Sequence, residues 1–244
     1  MIVINAAMAH QLNDFKAQID ALVANGMEQE EALYKVLKET IIASKNIRFE
    51  GDGYSEEWKK EAEGRGLTNI CHVPEAIMRF NDPQSRSVLI GEKVFNENEL
   101  NCRIEVELEK YTKKIQIESR VLGDMAINHI VPTAVIYQNR LLENLRGLRE
   151  TFSTEEYEYL GAERRELVKE IQLHTMEIKK LVREMTNARH IANRLSSQVE
   201  KAYSYQDSVS PYMEKIREHI DDLEMEIDDE IWPLPKYREL LFTK

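Results

Sequence analysis

The stretch LVKEIQLHTMEIKKLVREMTNARHIANRLSSQVEKA, residues 167–202, decides the fold class. Its apolar or small positions, with His174 among them, are Leu167, Ile171, His174, Ile178, Leu181, Met185, Ala188, Ala192, Leu195, Val199 and Ala202, spaced alternately four and three apart. A strand would repeat every second residue; this spacing keeps one stripe along an α-helix and implies a left-handed coiled-coil seam. About forty residues of helix would span roughly 60 Å, too long to be covered by one small globule, so it must project or pair. A partner follows directly. Ser210-Pro211 restarts the chain with proline at a favourable first position, and Met213, Ile216, Ile220, Leu223 and Ile227 repeat the seam, predicting an antiparallel return. The closing Trp232-Pro233-Leu234-Pro235-Lys236-Tyr237-Arg238-Glu239-Leu240-Leu241-Phe242 is too apolar for a free tail and is expected to dock on the body.

Upstream, two start signals share one grammar. Asn96 with Glu99, and Ser153 with Glu156, have capping-box spacing, with Phe95 and Phe152 as staples toward Leu100 and Tyr157. The first opens a long helix that Pro132 should kink or break, because proline lacks the backbone donor. The second opens a helix broken near Gly161. Residues 46–95 are less regular: an extended Ile47-Arg48-Phe49, a turn at Glu50-Gly51-Asp52-Gly53, and a short helix capped by Ser55. Before them, Met8, Leu12, Phe15, Ile19 and Leu22 mark one helix ended by Gly26. Ala32, Leu33, Val36, Leu37 and Ile41 mark a second, and a short loop joins the two into a hairpin. The reading is all-α: a helical bundle with a long antiparallel coiled-coil-like hairpin and a docked C-terminal tail, organised as 1–45, 46–95 and 96–244.

Composition agrees. Of 244 residues 42% are apolar and 32% charged, with only 9 Gly and 6 Pro, as expected for long helices with a real core. A net charge of -11 argues against general nucleic-acid binding, which needs Lys and Arg to neutralise phosphates, and favours protein partners. The opening Met1–His10 has no basic leader and turns polar too soon for a signal peptide or membrane span. Cys71 and Cys102 have neither disulfide nor zinc-ligand spacing, and a reduced cytoplasmic setting is expected.

Candidate chemistry is thin. Asp221, Asp222, Glu224, Glu226, Asp228, Asp229 and Glu230, with His219 beside them, suggest a carboxylate metal site. They flank an apolar seam, however, and read as a solvated face. His174 lies on the seam and, like His129, reads as a packed, hydrogen-bonded histidine; His190 lies off the seam and faces solvent. Glu50–Ser55 lacks the Lys-Ser/Thr pair of a phosphate loop, and the adjacency of Cys71 and His72 does not supply nucleophile-to-base geometry. No catalytic, cofactor-binding or metal-binding residue is assigned.

Four segments resemble the C-terminal part of type III glutamine synthetases: Phe49–Trp58, Lys114–Arg120, Asn128–Thr133 and Trp232–Phe242. The resemblance covers essentially the whole chain. In that family the metal-binding glutamates and histidine, and the arginines that hold ATP and glutamate, precede the segment matching Ile2-Val3-Ile4-Asn5. The resemblance therefore implies a helical structural or assembly portion, non-catalytic alone, from an enzyme that joins ammonia to glutamate with ATP and Mg and stacks in homo-oligomeric rings. Its partner would be the rest of the parent catalytic domain. The same resemblance makes Met1 a boundary inside a larger protein, and predicts self-association or partial disorder near residues 1–25 through Met8, Leu12, Phe15 and Ile19. A free-standing helical scaffold is the rival reading. A metal-dependent activity near Asp221 is the third.

Overall fold

Helix starts in this protein are set by short polar caps, and three of those legible in the sequence are made in atomic detail. Ser55 Oγ accepts from Trp58 N–H at 3.1 Å. Asn96 and Glu99 exchange bonds of 2.9 and 2.8 Å, and Ser153 and Glu156 close a full capping box. The computed structural model describes residues 2–241. Among these the elements are helical and none is a strand. Contacts divide the chain into two compact units, Met1–Glu107 and Leu108–Lys244.

The first unit begins with α1 (Ile2–Ala24) and α2 (Gln29–Ala43). Gly26, at φ +93°, ends α1 in the left-handed conformation that glycine adopts without steric cost. Its N–H reaches Val23 O at 2.9 Å, and Met27 N–H reaches Leu22 O at 3.2 Å. A 3₁₀ turn, Ser44–Ile47, follows, so Ile47 is helical where an extended piece is expected; Arg48 is extended. Helices α3 (Glu56–Gly64), α4 (Val73–Met78) and α5 (Pro83–Gly91) then fill the irregular region. Phe49 stacks on Trp58 with centroids 3.8 Å apart, and Arg65 lies over the other ring system at 5.1 Å while donating to Arg48 O at 2.9 Å. Gly51, at φ +149°, is required there, because a Cβ would meet the Phe49 ring at 2.9 Å.

Helix α6 (Glu97–Met125) leads to α7 (Val131–Thr151), and α8 (Thr154–Leu160) leads through Gly161 to α9 (Ala162–Asn193). Then come α10 (Gln198–Ser204), α11 (Ser210–Glu226) and the short α12 (Tyr237–Leu240). Two prolines act alike. Ahead of Pro132 and Pro211 the chain widens into π-turns, Ala126–Ile130 and Tyr205–Val209. Each is closed by a bond five residues back: Val131 N–H to Ala126 O, and Ser210 N–H to Tyr205 O. A proline cannot donate to the carbonyl four residues back, and the wide turn moves the helix past that missing bond without ending it. Proline at 211 therefore follows a bulge inside a helical run and does not restart the chain.

The seam on α9 buries Ile171, Ile178, Leu181, Met185 and Ala192, against α11 through Ile216, Ile220 and Leu223 and against α7 through Val131 and Ala134. Helix α11 runs antiparallel to α9: Asn193 meets Tyr205 at 2.8 Å, and His174 meets His219 at 3.0 Å. One expectation fails: the helix does not continue to residue 202. Arg194 closes it, and Ser197 caps α10 through the Glu200 N–H, a stop and restart inside a run whose apolar spacing never breaks. The π-turn residues Ala126, Ile130, Tyr205 and Val209 are fully buried, so both bulges belong to the core. The tail docks through Trp232, 7% exposed, and through Lys236, which donates to Glu224 O at 2.7 Å. Leu240 and Leu241, by contrast, are exposed, and Phe242 lies outside the described residues.

Ile178→Ala should lower stability by about 2–5 kcal/mol, because it empties a fully buried site at the centre of the seam. Leu173→Ala, one turn away on the exposed side, should change it by under about 0.5 kcal/mol. Thermal melts followed by circular dichroism distinguish the two.

Candidate functional site

Each sequence candidate has a definite place. Cys71 and His72 are both exposed at the start of α4, and the Cys71 thiol points to Asn69 O at 4.0 Å. That is a surface thiol, not a nucleophile aligned with a base. In the Glu50–Ser55 turn, Asp52 Oδ1 takes the Tyr54 N–H at 2.9 Å and Ser55 Oγ takes the Trp58 N–H. These amides are spent on the turn's own carboxylate and hydroxyl, and Glu50 and Asp52 add charge that repels phosphate, so the loop does not fit ATP. His129 is exposed within the first π-turn and not packed as expected; the turn rotates Ile130, not His129, into the core. His190 is exposed.

The acidic segment is divided by its neighbours. Asp221 pairs with Arg217 at 3.4 Å, Asp228 with Arg140 at 3.6 Å, and Asp229 with Lys236 at 2.5 Å. Ile220, Leu223 and Ile227 between them are buried. What sequence spacing could not give is the pairing across helices. His174 on α9 and His219 on α11 bring their Nδ1 atoms to 3.0 Å, rings edge-to-face at 69°, with Asp222 Oδ2 3.8 Å from His174 Nδ1. His174 is thus half-buried and hydrogen-bonded, and its partner is another histidine. Further along α11, Glu226 has one carboxylate oxygen buried without a partner. Burial, and then repulsion from Glu170 and Asp222, holds its carboxyl above the usual range. Two imidazoles and a carboxylate are a poor match for Mg²⁺, which takes oxygen ligands in near-octahedral geometry.

The α1–α2 hairpin leaves many large apolar side chains in water. Only Ala6, Ala32 and Val36 are fully buried there, with Phe15, Ile19 and Leu22 half-buried between the helices. Val3, Ile4, Met8 and Leu12 of α1 stay exposed, as do Leu33, Leu37, Ile41 and Ile42 of α2, Ile4 to 68% and Ile42 to 63%. The sequence reading placed Leu33, Leu37 and Ile41 on the packed side of α2; they are uncovered because α1 is one helix wide and reaches only Ala32 and Val36. Alongside, α1, α4 and α5 enclose a groove of 380 Å³ lined by Val3, Ala7, Phe80, Val88 and Leu89, with Arg79 and Asp82 at its polar edge. Apolar side chains exposed in this number on one hairpin make it a candidate protein-docking surface.

Comparison with known proteins accords with this. Residues 32–149 match the family described as the glutamine synthetase C-terminal domain. A glutamine synthetase of Bacteroides fragilis (strain YCH46) is 68% identical over 244 residues, all of this chain and 34% of that protein. A type-3 glutamine synthetase of Dictyostelium discoideum is 28% identical over all of this chain and 33% of its own length, and a glutamine synthetase of Butyrivibrio fibrisolvens 27% over 90% of this chain and 31% of its own. Among the described residues the architecture is helical without strands, and the matches to these relatives extend over nearly all or all of the chain. What the chain matches, over its whole length, is the C-terminal portion of glutamine synthetases, a type-3 enzyme among them. The chain spans about a third of the length of the curated relatives it matches. No helix of the described residues is long and apolar enough to cross a membrane.

A raised carboxyl pKa in the folded state means that folded protein holds a proton that the unfolded chain has lost. The associated stability is present in acid and declines as pH rises through the unfolded and then the folded pKa of Glu226. Glu226→Gln should therefore raise Tm at neutral pH, with the gain shrinking to nothing as pH falls below the carboxylate range; melts at several pH values check this.

Proposed function

We propose that this chain is the helical structural and assembly portion of a type III glutamine synthetase, and that it is non-catalytic alone. The parent reaction would be the ATP-dependent ligation of ammonia to glutamate, with ATP and Mg²⁺ held by residues outside this chain, in a cytoplasmic homo-oligomer of stacked rings. The observation that carries the reading is the uncovered apolar face of α1 and α2, in a chain whose whole length aligns with 34% of the length of the Bacteroides fragilis relative. That face is the surface expected where the remainder of the catalytic domain rests. At ~25 cal/mol per Å², burying a few hundred Å² of it would contribute several kcal/mol to docking. The boundaries near 45 and 95 are proposed on the same grounds: residues 1–45 complete the catalytic domain, 46–95 connect, and 96–244 form the type III extension. The same face supports a second reading, a free-standing helical interaction protein that recruits a different partner.

Activity separates the two. In an ATP-dependent γ-glutamyl transfer assay, the 244-residue chain should give background only, while the protein that includes the preceding two thirds turns over; turnover by the chain alone overturns the proposal. Sedimentation of the isolated chain should show concentration-dependent self-association. Met8→Glu with Leu12→Glu should weaken it by about tenfold or more, the effect of removing roughly 1.4 kcal/mol. A sharply monomeric chain whose first helix is protected from exchange would contradict the docking role.

A further inference from the structure

We propose that His174, His219 and Asp222 form a divalent transition-metal site that staples α11 to α9, with Zn²⁺ as the fitting ion. Their ligand atoms, one from each residue, all lie within 4.8 Å of one another. The Nδ1 atoms of the histidines face each other at 3.0 Å, and Asp222 Oδ2 is 3.8 Å from His174 Nδ1. Two ligands at about 2.0–2.1 Å from a tetrahedral zinc are about 3.3 Å apart, so a metal would require the imidazoles to open by about 0.3 Å and Asp222 to close on His174 by about 0.5 Å, within a ligand set whose atoms now lie up to 4.8 Å apart. These are rotamer adjustments, and Asp222, with 62% of its side chain exposed, has the freedom to make them.

A single proton shared between the two Nδ1 atoms also explains their approach, but it leaves Asp222 without a role. Three further observations favour the cation. The donors come from two different helices, so the site exists only when α9 and α11 are paired. The half-buried position beside the fully buried Ile171, Ile178, Ile216 and Leu223 fixes both helix backbones beneath the rings. The surroundings are anionic: Glu170 lies one turn before His174, and Glu226 one turn beyond Asp222, its buried oxygen unpartnered. Two nitrogens and one oxygen, with a fourth position open to water, suit Zn²⁺ better than Mg²⁺ or Ca²⁺, which take oxygen ligands. This site is independent of the docking role proposed for α1 and α2. It departs from the sequence reading, which assigns no metal ligand.

The experiment titrates the 244-residue chain with Zn²⁺ alone by calorimetry, and with Co²⁺ as the optical probe. One Zn²⁺ should bind per chain and raise Tm, and Co²⁺ should give a tetrahedral spectrum without a thiolate charge-transfer band. The His174→Gln, His219→Gln double variant should bind at least tenfold more weakly, and Asp222→Asn should weaken binding by less. The proposal is overturned if the wild-type chain shows no saturable uptake, if the double variant binds as tightly as wild type, or if a thiolate band places the metal on Cys71 or Cys102. The Co²⁺ spectrum is read on the wild-type chain, so it decides the question even if the double variant does not fold.

Discussion

The stripe of apolar side chains along α9 cannot be left in water, and the second unit is arranged to cover it from two directions. One neighbour is α11, returning antiparallel; the other is α7. Both approach through a π-turn, and both turns precede a proline. The coincidence has a physical basis. A regular helix through Pro132 or Pro211 would lose a bond and clash with its preceding turn. A π-turn accepts the missing donor, and its extra residue shifts the register so that Ile130 and Val209 enter the core. Side-chain hydrogen bonds tie the second bulge to its neighbours. Tyr205 hydroxyl donates to Asn193, which also accepts from Gln116 at 3.2 Å, and Tyr111 hydroxyl bonds Gln206. Burial raises the Tyr205 phenol pKa, so it remains a donor across the neutral range.

The first unit follows the opposite economy of surface. Its hairpin covers few of its apolar residues, and its remaining order comes from local devices: the Gly26 cap, the Phe49–Trp58 stack with Arg65 beside it, and Arg86 bonded to Asn81 and Asn101 at 2.9 Å and to Glu97. His10 and Asn13 of α1 meet Glu92 at 3.1 and 2.9 Å, which ties the hairpin to the loop after α5 through polar contacts. Exposed ion pairs and polar contacts of this kind contribute little. The eight apolar side chains named above on α1 and α2 are left uncovered by their own chain, and they are the surface to which the proposed docking role is assigned.

Most of the helices were legible because their signals are local. The four-three spacing of α9 and α11, the capping pairs at Asn96 and Ser153, the Gly26 stop, the break at Gly161 and the disturbance at Pro132 are each decided by residues within one or two turns. The stop at Arg194 was not legible, since Leu195, Val199 and Ala202 continue the apolar rhythm straight through it; the signal lay in Ser197 and Glu200, a cap hidden inside a seam. The π-turns were equally silent, because proline announces a disturbance without naming its form. The His174–His219 pair, 45 positions apart, depends on the register between two helices, and the intervening stop and bulge set that register. Adjacency of His219 to an acidic run was visible; adjacency to His174 was not.

Hydrogen exchange on the 244-residue chain, alone and within the longer protein, tests the account most directly. Slow exchange across α7, α9 and α11 in both samples, with α1 and α2 exchanging fast in the isolated chain and slowly in the longer one, is the predicted result. Equal protection of α1 and α2 in the two samples would contradict it, because the apolar hairpin would then be complete without a neighbour.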